Sequence, residues 1–251
     1  MTREMISSRK NPLLLHVKKL LSSRSYREAQ GQFAADGVKL LQEAVQWIPH
    51  LLKTVLVTDK AQICPLPDHV RLVQIPEDIM TQISPMETPQ GALFICDLPK
   101  TETAPDLSGC LILDGIQDPG NLGTILRTAD ALDVPVVLTP GCADAYNPKT
   151  VRAAMGALFR TLPPWISHEE VVNLCRQNGV KLYVTALSDR AQDLRTQDLS
   201  QAAVVIGSEG RGVGPYFLQQ AHGELIIPMH PRCESLNAAV AAAIVLWEMK
   251  R

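Results

Sequence analysis

Leu111-Ile-Leu-Asp114-Gly-Ile-Gln-Asp118-Pro-Gly-Asn121-Leu-Gly-Thr-Ile-Leu-Arg127 is the stretch whose reading decides the fold. Leu111 to Asp114 is short, apolar and uninterrupted, as a strand buried on both faces would be. Gly115 and Gly120 then open a turn. From Asn121 to Leu132 apolar residues recur at helical spacing (Leu122, Ile125, Leu126, Ala129), with Asn121 in the position expected of an N-cap. The same strand–loop–helix rhythm continues downstream. Residues 134–139, 181–186, 203–207 and 224–227 read as strands. Residues 148–158, 169–178, 214–221 and 235–249 read as helices. Such alternation predicts an α/β fold with a mostly parallel sheet covered on both faces. Ligands of such sheets bind at the carboxyl ends of the strands.

Upstream, residues 98–109 (LPKTETAPDLSG) break the pattern with two prolines, two threonines and mixed charge. They form the expected linker. The predicted domains are therefore 1–97, a small α/β unit, and 110–251. In the first, Asn11-Pro12 starts a helix carrying Leu13, Leu14, Val17, Leu20 and Leu21. Asp36-Gly37 opens another helix through Trp47, residues 54–58 and 92–96 are strands, and residues 75–83 a short helix.

Of the 251 residues, 46% are hydrophobic and 20% charged, which suits a packed core and excludes general disorder. Aromatics at 4% are too few for a surface that stacks many single-stranded bases. No apolar run reaches the roughly 18–20 residues that cross a bilayer, and Met1 to Lys10 carries no apolar signal core. No membrane association is expected, and a cytoplasmic location is. Six scattered cysteines without a CxxC pair predict neither a disulfide framework nor a metal site.

Residues 1–60 carry ten Lys/Arg against five Asp/Glu, and the remainder fourteen against twenty-one. Arg9, Lys10, Lys18, Lys19, Arg24 and Arg27 concentrate the positive charge. Such a cluster attracts a polyanion, or it is simply a solvated helix face.

Three loops carry candidate chemistry. The first is Gly115 to Gly120, leading to Asn121 and Arg127. The second is Gly207-Ser-Glu209-Gly210-Arg-Gly212-Val-Gly214, where four glycines follow a strand and let the backbone approach a ligand closely. The third runs from Ile227-Pro-Met229 through the prolines Pro228 and Pro231 to Ser235-Leu236-Asn237, where Ser235 is the expected N-cap of an alanine-rich last helix. Ala238, Ala239, Ala241, Ala242 and Ala243 leave room for another backbone. Leu246, Trp247 and Met249 add an apolar cluster that a two-fold contact would bury.

These motifs resemble, in order and spacing, the SpoU/TrmH family of RNA ribose 2′-O-methyltransferases. The matching stretches are Asn121-Leu-Gly123-Thr-Ile-Leu-Arg127, Gly207-Ser-Glu209-Gly210-Arg-Gly212, and Ile227-Pro-Met229 with Ser235-Leu-Asn237. Asn147-Pro-Lys-Thr-Val-Arg152-Ala-Ala-Met-Gly-Ala157 also resembles a stretch of that family, with Asn147 and Ala154 where serines are usual. His230-Pro231 replaces a Pro-Gly pair. Residues 6–12 and 31–37 are similar to the opening of the small RNA-binding domain that precedes many members.

The resemblance implies a C-terminal trefoil-knotted SPOUT methyltransferase domain behind an RNA-binding substrate domain. It implies S-adenosylmethionine as cofactor, held by Gly207, Ile227, Met229, Ser235, Leu236 and Asn237. Catalytic parts fall to Asn121, Arg127, Glu209, Ser235 and Asn237, with Glu209 holding Arg127 within the chain or across subunits. The implied partners are RNA, ribosomal before transfer RNA, and a second copy in a homodimer, without a metal. Arg152 joins the basic N-terminal residues as an RNA contact. Two other classes make different demands on the sequence. A dinucleotide dehydrogenase requires GxGxxG after the first strand, which Asp114 to Gly123 does not supply. A catalytically silent RNA-binding protein of the same fold would lack Asn121, Arg127 or the third-loop residues, all of which are present.

Overall fold

A computed structural model describes residues 4–100 and 105–251; residues 101–104 of the expected linker lie outside the described residues. The chain forms two compact units. The first takes in Met1–Lys100 and Asp144–Arg160, the second Thr101–Ala143 and Thr161–Arg251.

The first unit begins with β1 (Glu4–Met5), α1 (Pro12–Ser22), α2 (Arg24–Gln30), β2 (Gln32–Asp36) and α3 (Val38–Trp47). It continues with β3 (Leu52–Val57), β4 (Arg71–Gln74), α4 (Glu77–Ile83) and β5 (Ala92–Asp97). The sheet order is β1-β4-β3-β5-β2, with β5 antiparallel to both neighbours and the other pairings parallel. Helix α1 starts where expected. Asn11 Oδ1 accepts from the Leu13 amide at 2.9 Å and Pro12 occupies the first turn, where no amide is needed. Leu14, Val17 and Leu20 lie on one helical face and are buried with Ile6, Leu56 and Val73. Strand β2 was not foreseen because Gln32-Phe-Ala-Ala-Asp36, with two alanines and a terminal aspartate in five residues, is weak in strand propensity. Pairing with β5 fixes it instead. Gly37, at φ +119°, turns the chain from β2 into α3.

The second unit opens with β6 (Leu111–Asp114), α5 (Pro119–Ala131) and β7 (Val136–Leu138). The chain then makes α6 (Pro148–Ala154) and α7 (Ala157–Thr161). It continues with α8 (His168–Asn178), β8 (Leu182–Thr185), β9 (Gln192–Asp193), β10 (Ala203–Gly207), α9 (Pro215–Gln220), β11 (Gly223–Ile226) and α10 (Ala238–Met249).

Residues 144–160 group with the first unit although they follow β7 in sequence. Tyr146 packs its ring 4.8 Å from Phe33, and Phe159 lies 6.2 Å from Phe33 and 6.3 Å from Phe94. These rings complete a core that residues 1–97 alone leave open. The single helix expected over 148–158 is broken at Met155 and Gly156, which have φ of +50° and +90°. Arg27, grouped with the RNA-facing cations from sequence, belongs to this interior instead. Its side chain is 4% exposed and pairs with Asp144, Nε donating to Oδ2 at 2.8 Å. A guanidinium so enclosed cannot meet a phosphate.

In the second unit the sheet order is β7-β6-β10-β8-β11-β9 and every pairing is parallel. Buried Ile112, Val184, Val205 and Phe217 share one core with Cys110 and Cys175. Burial pushes the Cys175 thiol up to about 11, the Cys96 and Cys110 thiols well above their ordinary value, and the Cys142 thiol up against the opposing pull of backbone hydrogen bonds. Helix α10 packs on α5 and β10. Leu246 and Met249 are buried within the chain's own core, not left for a partner, whereas Val240 and Trp247 stand 49% and 64% exposed.

Candidate active site

Parallel register places the first two loops side by side. Gly207, the last residue of β10, is paired with Asp114, the last of β6. The buried Asp114 carboxylate ties the two roots together. Oδ2 accepts from the Gly214 amide at 2.8 Å, and Oδ1 accepts from Thr139 Oγ1 at 3.1 Å and meets His168 Nε2 at 2.9 Å. Between them the chain folds back tightly. The Ser208 amide donates to the Gly212 carbonyl at 3.1 Å and the Gly212 amide to the Ser208 carbonyl at 2.9 Å. A Cβ on Gly207 would lie 2.0 Å from the Gly212 carbonyl carbon, so only glycine fits there.

The three loops are then joined by one chain of hydrogen bonds. Glu209 Oε1 accepts from Asn121 Nδ2 at 2.8 Å, and Asn121 Oδ1 accepts from Asn237 Nδ2 at 3.1 Å. Asn237 Oδ1 accepts from the Ala239 and Val240 amides at 2.9 and 3.3 Å. Asn237, not Ser235, therefore caps α10. Asn121 does not cap α5 either. Asp118 does, accepting from the Asn121 amide at 2.8 Å with Pro119 in the first turn. A cap one turn earlier releases the Asn121 side chain to link the other two loops.

Beside this chain lies a cavity of about 570 Å³. Of the residues expected to hold a cofactor, Gly207, Ile227, Met229, Ser235 and Leu236 line it, and so does Glu209. Asn237 does not; it stands between two lining residues with its side chain turned to Asn121. One wall was missed from sequence: Thr185 to Ser188, Arg190 and Glu224. That segment has no glycine signature. Its only available signal is its place after a parallel strand, where ligands collect.

Arg127 lies on an exposed position of α5, outside the cavity lining. It is six residues from Asn121, hence about 9 Å further along the helix axis. Glu209 accepts from Asn121 Nδ2 and, at 3.5 Å, from the Gln117 amide, and not from Arg127, which has no ion pair or side-chain hydrogen bond within the described residues. Among the described residues no group of three His, Cys, Asp or Glu side chains is arranged to hold a metal.

The basic residues of the first unit are dispersed. Arg9 pairs with Asp78 and Arg24 with Glu28 at the surface. Arg152 is half-buried and lays a guanidinium nitrogen 3.1 Å from Met86 Sδ. Burial pushes the nearby Asp36 carboxyl up, against the opposing pull of a Ser84 hydrogen bond and the Arg152 charge. Lys19 sits 5.3 Å from the Tyr26 ring centre, and Lys10 and Lys18 have no ion pair within the described residues.

The SpoU rRNA Methylase family matches residues 109–247, and an MRM3-like substrate binding domain matches residues 11–93. The chain is 34% identical to the 23S rRNA (guanosine(2553)-2′-O)-methyltransferase RlmP of Bacillus subtilis, over 98% of this chain and 99% of that protein. It is 30% identical to the mitochondrial rRNA methyltransferase 3 of Homo sapiens, over 95% of this chain and 72% of that one. An AdoMet-bound rRNA methyltransferase from Sinorhizobium meliloti superposes with a TM-score of 0.84 at 27% identity, covering 98% and 97% of the two chains. Together with three motif loops joined side chain to side chain beside one cavity, these matches establish that the chain belongs to the SpoU rRNA methylase family, within the SpoU/TrmH group of RNA 2′-O-methyltransferases.

Proposed function

We propose that this protein transfers a methyl group from S-adenosylmethionine to a ribose 2′-hydroxyl of ribosomal RNA. The observation that carries the proposal is the Glu209–Asn121–Asn237 chain at the edge of the cavity. The lining suits a charged nucleoside. Ile206, Leu225 and Ile227 offer apolar surface, the Gly207 turn brings backbone close, and Glu209, Ser188 and Glu224 supply polar atoms. Gly207, Ile227, Met229, Ser235 and Leu236 would hold the cofactor, with Asn237 fixing the loop that carries them.

When bound, S-adenosylmethionine supplies an electrophilic sulfonium methyl, so the protein's task is to place the hydroxyl and ease loss of its proton. Asn121 holds Glu209 and Asn237 in register and is placed to orient the ribose. Ser235 adds a hydroxyl at the cavity rim. Arg127 is a poor base, since its pKa exceeds 12. It acts as an anchor for an RNA phosphate or ribose, and its charge favours the ionised hydroxyl.

Because Arg127 stands outside its own chain's cavity, it serves a partner's site in a homodimer. Val240 and Trp247, exposed on α10 beside α5, form the apolar part of that contact. The segment from Ile227 to Asn237 threads as a trefoil knot. The support is the sheet order. β11 lies beyond β8 from β10, yet the chain leaving it returns to pack α10 on α5 and β10. Lys10, Lys18 and Lys19 provide the RNA-facing charge. No helix among the described residues is long and apolar enough to cross a membrane, and the reading places the enzyme in the cytoplasm.

Radiolabelled methyl transfer to rRNA tests the reaction. Arg127→Ala should abolish it while S-adenosylhomocysteine affinity stays within several-fold. Equal loss of both would assign Arg127 to the cofactor cavity. Light scattering at micromolar concentration tests the dimer, and the mass of one chain would refute it.

A further inference from the structure

The missed wall of the cavity holds a carboxylate that takes one hydrogen bond on each oxygen from the described residues. Glu224 lies in β11, its side chain is 10% exposed, and it lines the cavity. Arg190 Nη2 donates to Oε1 at 2.8 Å, and Ser188 Oγ donates to Oε2. An ionised carboxylate accepts about four hydrogen bonds, two on each oxygen. Each oxygen therefore keeps one acceptor position that no described residue uses. Two acceptors on one planar group match a vicinal diol, whose two hydroxyls donate in parallel. At parallel-sheet nucleotide sites an acidic side chain accepts from the ribose 2′-hydroxyl.

The Arg190 and Ser188 contacts do not supply a sufficient reason for the carboxylate by themselves. Arg190 is 83% exposed, and an ion pair with so solvated a partner contributes little to stability. An acidic group in an otherwise largely apolar cavity wall costs desolvation that a ligand donor would offset. Glu209, the other carboxylate lining the cavity, already accepts from Asn121 and faces the opposite loop.

We propose that Glu224 is the specificity residue for the adenosine ribose of the cofactor. It accepts from the 2′- and 3′-hydroxyls, while Ser188 and Arg190 hold its carboxylate in the plane that receives them. This rests on the cavity being the S-adenosylmethionine site.

Calorimetry with the intact protein tests it, using S-adenosylhomocysteine and its 2′,3′-dideoxy analogue as probes. The unaltered protein should bind the diol form at least ten-fold more tightly. Glu224→Gln should weaken the diol form by ten-fold or more, leave the dideoxy form within two-fold, and so erase the preference. Ser188→Ala should reduce the preference by a smaller factor. Equal affinity of the unaltered protein for both probes overturns the proposal without any variant. A Glu224→Gln protein that loses both probes equally overturns it too, because the residue would then only shape the wall. No binding of S-adenosylhomocysteine by the unaltered protein would remove the cofactor reading itself, an outcome distinct from the other two.

Discussion

The catalytic loops and the basic N-terminal segment behave in opposite ways. Asn121, Glu209 and Asn237 are spread over more than a hundred positions of sequence, yet they meet through two hydrogen bonds. Arg9 to Arg27 are close in sequence, yet they separate into surface ion pairs, a lysine over an aromatic ring and a buried arginine. The difference lies in what sets direction. Loops at the ends of parallel strands are delivered to one edge by backbone register, as in the pairing of Gly207 with Asp114. Successive side chains of a helix point round the whole cylinder, so a cluster in sequence is not a cluster in space.

The largest effect that sharpens this contrast is expected at Arg27. Removing one partner of a buried ion pair costs about 3–5 kcal/mol, because the other charge stays buried without compensation. Arg27→Ala should therefore lower unfolding stability by about that amount in urea, with Asp144 left alone. The salt dependence of RNA binding should not change. A flattened salt slope with little loss of stability would return Arg27 to the RNA-facing set.

Next in size is Asn237. Its side chain caps α10 and links to Asn121. Asn237→Ala should cost about 1 kcal/mol as a lost cap. It should reduce methyl transfer well beyond that, through the loss of alignment between the loops. Asn237→Ser keeps a cap acceptor but cannot donate to Asn121 across the same distance. It should recover the stability and not the activity. Recovery of both would reduce Asn237 to a helix cap.

The third effect is electrostatic. Replacing Lys10, Lys18 and Lys19 with glutamine should leave folding within about 0.5 kcal/mol, as surface changes usually do. The slope of log affinity against log salt should fall by roughly 0.7–0.9 for each phosphate contact removed. An unchanged slope would move the RNA footprint off the first unit. Point substitutions are the fair test, since deleting residues 1–97 would strip the partners of Tyr146 and Phe159 and expose their rings.

These cases mark what was legible in the chain. Strand–loop–helix order was legible because buried parallel strands are short apolar runs with glycine behind them, as at Leu111–Gly115 and Ala203–Gly207. Glycine spacing gave the second loop because Gly207 has no room for a Cβ. Three things were hidden. The cap positions shifted because Asp118 precedes Asn121 and takes the amide first. Arg27 was misplaced because its partner lies 117 residues away. The Glu224 wall went unseen because a lone carboxylate in a strand looks like any solvated charge until the sheet brings Ser188 and Arg190 beside it.

The smallest effect compares the two regions through one thiol each. Among the six cysteines, Cys64 in the first unit is partly exposed, and Cys233 in the loop before Ser235 is exposed; the other four are buried. The thiolate is the reacting species, so a raised pKa slows alkylation. With Cys175 pushed up to about 11, its thiolate fraction at pH 8 is about a thousandth, and it climbs only as pH approaches that value. Cys96, Cys110 and Cys142 are shifted in the same direction by burial. Alkylation at pH 8 should therefore modify Cys233 first and Cys64 second, with the remaining four reacting only after unfolding. S-adenosylhomocysteine should then separate the regions. Cys233 sits two residues from Ser235 on the cavity rim, so occupancy should slow its modification several-fold. Cys64 belongs to the first unit and should react at its original rate. Mass spectrometry of the labelled peptides reads both rates in one experiment. Protection of both thiols alike would mean that ligand binding orders the whole chain, and that the two units do not respond separately.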